Sequence, residues 1–176
     1  DSFPTPTATQ VPPPVLTGQV LASKPVTIRL FNMDGSLAAT TTANADGTFM
    51  LTAPSGNYTV VASALGFLNA QGAVTLTNGM TTTMPLVTLP AGDIDGNGVI
   101  DQFDALTIGM NYNASSPAAA DLNSDGIINV LDLELLAANY RTFPSRFSGI
   151  RADGPNNWDL SILKNTRLTE GIQMQF

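Results

Sequence analysis

Short runs of alternating apolar and polar residues fill the first half of the chain, from about residue 15 to residue 89. The runs read VLTGQVL, VTIRLF, LAATTTA, GTFMLTA, NYTVVASA, GAVTLT and TTMPLVTL, and alternation of this kind is typical of strands that bury one face. Asp-Gly, Ser-Gly and Asn-Gly pairs between the runs favour tight turns. Seven short strands without a helical period predict an antiparallel β-sandwich over residues 15–90.

The pattern changes after residue 90, where a twelve-residue loop rich in side-chain oxygens occurs twice. The copies DIDGNGVIDQFD and DLNSDGIINVLD begin 28 residues apart, at Asp93 and Asp121. In both, positions 1, 3 and 5 are Asp or Asn, position 6 is Gly and position 12 is Asp, an order typical of EF-hand-like calcium loops. Helical runs follow, from Phe103 to Tyr112 and from Leu131 to Tyr140. We predict a loop-helix unit repeated twice that holds two calcium ions.

Acidic residues are concentrated around these loops, and basic residues are absent there. The chain has 7 basic and 14 acidic residues, a formal charge of −7, and no Lys or Arg between Arg29 and Arg141. Eight carboxylates in this stretch would repel one another without a bound cation, which supports the calcium interpretation. The same acidity argues against nucleic acid as a partner. The eight are Asp93, Asp95, Asp101, Asp104, Asp121, Asp125, Asp132 and Glu134.

Cysteine and histidine are both missing from the sequence. Their absence excludes disulfides, thiol nucleophiles, zinc sites built from Cys or His, and Ser-His-Asp catalysis. Nearly all the clustered carboxylates belong to the calcium loops, so few remain for acid-base catalysis by a carboxylate pair. We therefore expect a protein that is not an enzyme.

The first 14 residues contain five prolines together with Thr and Ser, a composition that predicts an extended arm or linker. This composition and loops suited to millimolar calcium favour a location outside the cell or on its surface. The sequence has no run of about 18 apolar residues, so we expect no membrane insertion.

Residues 142–176 form a C-terminal extension with its own alternating pattern. Two alternating segments on either side of Thr169, Glu170 and Gly171 predict a β-hairpin. Because an isolated hairpin is barely stable in water, it either packs on the chain's own sandwich or adds a strand to a neighbouring subunit. The apolar positions proposed for partner contact are Trp158, Ile172, Met174 and Phe176.

Three parts of the chain resemble known families. ADGTF and GNYTVVASALGF, within residues 15–90, resemble carboxypeptidase-regulatory-like domains, which implies a small scaffold sandwich. The two gapless repeats of residues 91–141 resemble a dockerin, the calcium-dependent module that plugs into cohesin domains of cellulosomes and other surface assemblies. The stretch GPNNWDLSILKNTRLTEGIQMQF is similar to strand segments of TonB-dependent outer-membrane receptors, but two strands are too few to insert into a membrane.

The dockerin resemblance implies a ligand set for each loop. Positions 1, 3, 5 and 12 would supply side-chain oxygens, position 7 a backbone carbonyl oxygen and position 9 a contact through water. The first site would comprise Asp93, Asp95, Asn97, Val99, Asp101 and Asp104, and the second Asp121, Asn123, Asp125, Ile127, Asn129 and Asp132.

Dockerins choose their cohesin through loop positions 10 and 11 and the helix that follows. In this chain those positions are more apolar than the Ser/Thr pairs of common cellulosomal dockerins. They either bind a partner protein or pack on the chain's own sandwich or tail. The candidate residues in this part of the chain are Gln102, Phe103, Met110, Val130, Leu131 and Leu135.

Two functions fit these features. The first is an extracellular, calcium-stabilised structural protein, a surface or filament subunit that contacts copies of itself. The alternative is a docking module that anchors a secreted protein to a cohesin-bearing scaffold. For either, we expect a mainly β fold with a small α module: a sandwich, a two-repeat dockerin-type calcium module and a C-terminal hairpin.

Overall fold

A computed structural model of the chain describes residues 11–140 and the strand segments 145–146, 165–169 and 172–175. The elements are mostly strands, with two helices in the second half. They are β1 (Val15–Leu21), β2 (Thr27–Asn32), β3 (Leu37–Thr42), β4 (Thr48–Thr52), β5 (Gly56–Ser63), β6 (Ala70–Leu76), β7 (Thr81–Thr83), β8 (Val87–Thr88), α1 (Gln102–Met110), α2 (Val130–Ala138), β9 (Ser145–Arg146), β10 (Asn165–Thr169) and β11 (Ile172–Gln175).

The strands up to β8 form two sheets, as the alternating pattern predicts. One sheet has the order β4-β1-β7, with β8 also pairing with β1, and the other has the order β3-β2-β5-β6-β9. In β5, Tyr58, Val60 and Ala62 are buried while the residues between them are more exposed, so one face of the strand meets the core. In the other sheet, Leu16 and Val20 of β1 are fully buried. The predicted mainly β fold with a small α module is confirmed.

The last predicted strand of the sandwich is two strands in the structure. Pro85 lies between β7 and β8, and because proline has no N–H to donate, the run is interrupted there. Both pieces pair with β1 in parallel, whereas the ladders among β1 to β6 are antiparallel. The described residues before the helices therefore form eight strands instead of seven. The last two pair with β1 in parallel.

Each helix begins with a capping box that the loop itself provides. The Asp101 side chain accepts from the backbone N–H of Phe103, and Asn129 accepts from that of Leu131. The helices begin one residue before, and end two residues before, the predicted bounds, with Asn111 and Asn139 at their C-caps. The duplicated loop-helix pattern is thus present in both copies.

The sandwich and the loop-helix module share one hydrophobic core. That core includes Leu68 of the sandwich together with Ile100, Leu122 and Leu136 of the module, all at most 1% exposed. Burial of this kind contributes about 25 cal/mol per Å² of apolar surface, so the two parts stabilise each other.

Backbone contacts also join the sandwich to the loop-helix module. The N–H of Gly92 donates to the carbonyl oxygen of Gly66, 2.8 Å away, and Phe67 forms an isolated β-bridge with Ala91. Gly66 has φ +81°, and a Cβ at this position would lie 2.2 Å from the carbonyl oxygen of Ala119. Glycine is needed here for both backbone conformation and close approach.

The turn between β1 and β2 also contacts the module. Ser23 donates from its hydroxyl to the carbonyl oxygen of Leu122, and Lys24 donates from Nζ to that of Ala118. Lys24 is half-buried there, and this burial lowers its pKa.

The C-terminal extension contributes three strands to the described residues. β9 pairs in parallel with β6, and β10 pairs with β11 as an antiparallel hairpin. The two paired strands lie on either side of the predicted turn, with Ile172 and Met174 on β11, whereas residues 170–171, Trp158 and Phe176 lie outside the described residues. None of the helices in the described part of the chain is long and apolar enough to span a membrane.

Candidate calcium site and docking surface

Three carboxylates converge in the first loop. Ligand oxygens of Asp93, Asp95 and Asp104 lie within 4.8 Å of one another, at positions 1, 3 and 12. Asp93 is 5% exposed and Asp104 is completely buried, so this negative charge is partly removed from water. Clustered carboxylate oxygens are the donors that calcium prefers, and the group fits that ion.

The carboxylate at position 12 joins the start of each loop to its helix. Asp104 accepts at Oδ1 from the N–H groups of Ile94 (2.8 Å) and Asp95 (3.2 Å), and at Oδ2 from Asp101 (2.9 Å). The second loop repeats this arrangement. Its corresponding distances, to Asp132 from Leu122, Asn123 and Asn129, are 2.7, 3.1 and 2.8 Å.

The residue at position 1 holds the glycine turn. Asp93 accepts from the N–H of Gly98 at 3.3 and 3.2 Å, and Asp121 accepts from that of Gly126 at 3.0 Å. Gly98 and Gly126 have φ of +84° and +90°, a region that residues with a Cβ rarely adopt. The glycine at position 6 therefore allows the chain to turn in both loops.

Positions 3 and 5 form successive side-chain to backbone bonds. In the first loop Asp95 Oδ1 accepts from the N–H of Asn97 (3.0 Å), and Asn97 Oδ1 accepts from that of Val99 (2.8 Å). In the second loop the matching acceptors are Asn123 Oδ1 (3.0 Å, from Asp125) and Asp125 Oδ1 (2.9 Å, from Ile127). These bonds hold the side chains at positions 3 and 5 against the backbone of their own loop.

The pKa values of the buried and exposed candidate ligands shift in opposite directions. Burial raises the pKa of the Asp93 carboxyl, and the nearby Asp104 and Asp95 raise it further against the opposing effect of the Gly98 N–H. At the exposed Asp125, hydrogen bonds from the Ile127 N–H and from Asn123 lower the pKa. A divalent cation would relieve the unfavourable charge on Asp93.

The side chains at position 9 have a structural role that the resemblance did not supply. Asp101 and Asn129 are the N-caps of α1 and α2, at 2.8 and 2.7 Å from the capped N–H groups. A sequence signal was available, because each is followed three residues later by Asp, as in a capping box. Contact with an ion through water would use the same side chains, which would link the helix cap to the ion.

The families that match the chain agree with this geometry. Residues 16–90 match the carboxypeptidase regulatory-like domain, and residues 91–139 match the dockerin type I domain. The chain carries a carboxypeptidase regulatory-like domain followed by a dockerin type I domain. Dockerin type I domains bind calcium, and both families are non-catalytic structural or docking modules.

Solved structures share the fold of the two domains together. Two mutant type II cohesin-X-dockerin complexes from Acetivibrio cellulolyticus, with changes at the C-terminal and N-terminal interface, match with TM-scores of 0.58. Identities are 22% and 20%, and each match covers 74% of this chain and 97% of the other. No curated protein matches the chain significantly. The predicted resemblance to both families is confirmed.

An apolar stripe runs along α1 of the dockerin domain. Phe103, Leu106 and Met110 are 58, 56 and 76% exposed, and their spacing of three and four residues places them on one helix face. The sequence interpretation included Phe103 and Met110 but missed Leu106, although the same helical spacing pointed to it. Gln102, at the first position of the helix, is also exposed.

On α2 the corresponding surface is divided. Val130 and Leu131 are each 49% exposed, whereas Leu135 borders a cavity of about 630 Å³ between the two domains. The cavity is also lined by Phe67 and Leu89 of the sandwich. Leu135 therefore lies beside this chain's own sandwich, although 37% of its surface is exposed.

Position 8 supplies the small apolar core of the dockerin domain. Ile100 and Ile128 are both completely buried in the core that the two domains share. The second loop is also connected to the end of the first repeat, since Asn113 donates its N–H to the carbonyl oxygen of Ile128 (2.8 Å) and Ile128 donates to Ala114 (2.7 Å). The repeats therefore fold as one unit.

These findings change the order of our two functional interpretations. We placed a self-assembling surface subunit first and a docking module second. The dockerin family match favours the docking module.

Proposed function

We propose that this chain is a calcium-dependent docking module, located outside the cell, that anchors the protein to a cohesin-bearing partner. The observation that carries the proposal is the dockerin domain with an exposed apolar stripe on its first helix. The fold neighbours are chains from cohesin-X-dockerin complexes, in which a second module also precedes the dockerin.

Two calcium ions would hold the docking surface in shape. In the proposed sites, Asp93, Asp95, Asn97 and Asp104 bind one ion and their counterparts Asp121, Asn123, Asp125 and Asp132 bind the other. The position-7 carbonyl oxygens and the position-9 side chains complete the sets. Since position 12 also bonds the loop to the helix start, each ion would fix the direction in which its helix leaves the loop.

The partner surface that fits α1 is apolar at its centre and free of acidic groups around it. Phe103, Leu106 and Met110 provide apolar contact area, and residues 30–140 contain no Lys or Arg to pair with an acidic partner. Carboxylates near an interface favour a basic or neutral rim on the other side. The sandwich would act as the companion module that supports α2.

Binding to isolated cohesin domains of types I and II, measured in calcium and in a chelator, tests this function. We expect at least one cohesin to bind in calcium and to be released by chelation. Met110→Glu should weaken binding by at least about tenfold, as an introduced charge in an apolar contact costs more than about 1.4 kcal/mol.

Met33→Glu is the matched control, because Met33 is also 76% exposed but lies beside the β2–β3 turn of the sandwich. Equal weakening by the two substitutions, or failure of every cohesin to bind the calcium-loaded protein, would refute the docking proposal. Light scattering on the same samples would detect self-association, the outcome expected of a filament subunit.

A further inference from the structure

We propose that Asn97-Gly98 in the first loop is a site of spontaneous deamidation that bound calcium protects. The inference rests on the proposed calcium site of that loop. The reaction would change Asn97, a residue of the proposed ligand set. Asn97-Gly98 aligns with Asp125-Gly126 at positions 5 and 6 of the second loop.

The reaction needs no reagent besides water. The backbone nitrogen of Gly98 attacks Cγ of Asn97, the new N–Cγ bond closes a cyclic imide, and the Cγ–Nδ2 bond breaks. Ammonia leaves with the proton from the Gly98 nitrogen. Water then opens the imide at either carbonyl carbon, which leaves aspartate or isoaspartate at position 97.

Local sterics favour this reaction at Gly98. Asn97 is exposed, and a Cβ built on Gly98 would meet nothing within 4 Å. Glycine also offers the attacking nitrogen without a side chain that would hinder its approach to Cγ. Water therefore reaches the dipeptide, and the imide has room to form.

The folded loop restrains both reacting groups. The Gly98 N–H is engaged by the Asp93 carboxylate at 3.2 and 3.3 Å. The Asn97 side chain accepts from the Val99 N–H at 2.8 Å and donates to Asp95 at 2.9 Å. The nitrogen can attack Cγ only after these bonds break, which requires local opening of the loop.

Calcium would add two further restraints, since Asn97 and Asp93 both belong to the proposed ligand set. Ligand binding lowers the population of the opened loop in proportion to the calcium concentration above its dissociation constant. The aspartate product would match Asp125, the residue at the same position in the second loop. The isoaspartate product lengthens the backbone by one methylene and would displace the Gly98 turn.

Ageing the full chain at mildly alkaline pH, in calcium or in a chelator, tests the inference. Cleavage after Phe67 and Phe103 releases one peptide that contains both Asn97 and the internal control Asn78, which also precedes a glycine. Mass spectrometry of that peptide then gives both rates. At calcium about 100 times its dissociation constant, deamidation of Asn97 should be about a hundredfold slower than in chelator.

Asn78 lies in the turn between β6 and β7, where Gly79 donates its N–H to Pro12, and it should react at the same rate in both conditions. Equal rates at Asn97 with and without calcium, or the same change at Asn78, would overturn the inference. Calcium titration of fresh protein identifies which idea has failed. If calcium binds but Asn97 deamidates at the same rate with and without it, only this inference is wrong. If calcium does not bind, the proposed calcium site is wrong too.

Discussion

Asn139 donates from its side-chain Nδ2 to the backbone carbonyl oxygen of Ala91, 3.2 Å away, and so joins the end of the dockerin domain to its beginning. Ala91 in turn pairs with Phe67 of the sandwich. Asn139 also donates to the carbonyl oxygen of Leu135 in its own helix, at 3.0 Å, and Asn111, at the same position in the first repeat, makes the matching bond to Thr107, at 2.8 Å. The second repeat therefore closes the domain against the sandwich.

Asn139→Ala should destabilise the protein by about 1 kcal/mol more than Asn111→Ala, because it leaves a carbonyl oxygen at the domain boundary without this donor. Urea unfolding in saturating calcium measures both variants. Equal losses of unfolding free energy would show that the Ala91 contact contributes nothing beyond an ordinary helix cap.

Asp104→Asn should abolish calcium binding in the first loop while the second loop still binds. The amide has a single acceptor oxygen and no charge, so it cannot replace a carboxylate that faces three N–H groups and the proposed ion. Isothermal titration calorimetry gives the stoichiometry. Asp101→Asn is the control, since the second loop already has Asn at that position; loss of a site in the control alone would reverse our assignment.

Chelation should lower the melting temperature of the whole chain. A site with calcium at about 100 times its dissociation constant stabilises the folded state by about 2.7 kcal/mol, which corresponds to roughly 5–10 °C for a cooperative unit of about 150 residues. Because the core is shared, sandwich and dockerin should lose stability together. A calorimetric scan in which calcium is demonstrably removed but the melting curve is unchanged would contradict this.

Lys24→Met should change calcium affinity and stability in opposite directions. Lys24 interacts electrostatically with Asp121 and Asp132, so removal of its charge should strengthen calcium binding in the second loop. The variant also loses the hydrogen bond to Ala118, which should make the calcium-free protein less stable. Lys24→Arg, which keeps the charge, should leave calcium affinity within about twofold of wild type. Weaker calcium binding by the Met variant would disprove the electrostatic part.

Acidification should remove stability that two turns contribute. The hydroxyl and N–H of Thr48 lower the pKa of Asp46, and those of Ser36 do the same for Asp34. A folded-state pKa below the unfolded one gives stability that is present above about pH 4 and is lost as the pH falls through the folded pKa.

Asp46→Asn keeps an acceptor oxygen but cannot titrate, so its denaturation midpoint should fall less between neutral and acidic pH than that of wild type. The comparison is made in chelator, so that protons do not compete with calcium. Asp34→Asn should behave alike, as both residues lie in Asp-Gly turns. Parallel pH curves for wild type and both variants would show that these bonds do not favour the ionised side chains.

Local patterns in the sequence predicted the loops, the helices and most of the strands. The loop from Asp93 to Asp104 could be predicted because its residue types recur at fixed spacings within twelve residues. The division at Pro85 was also readable, since proline removes a ladder donor. By contrast, the contacts of Ser23 and Lys24 with residues about 100 positions later have no local signature, because they depend on how two domains pack. The orientation of Leu135 towards the sandwich could not be predicted for the same reason.

The shared core at the junction has a mechanical consequence. Leu68 and Leu136 are buried in the same cluster. The connecting residues are held on both sides, because Pro90 and Gly92 bond to the sandwich and Ala91 accepts from Asn139 of the dockerin domain. A partner that binds the dockerin domain would therefore also fix the orientation of the sandwich. Force applied to one domain would be transmitted to the other through packed side chains, so the two domains would behave as one rigid unit.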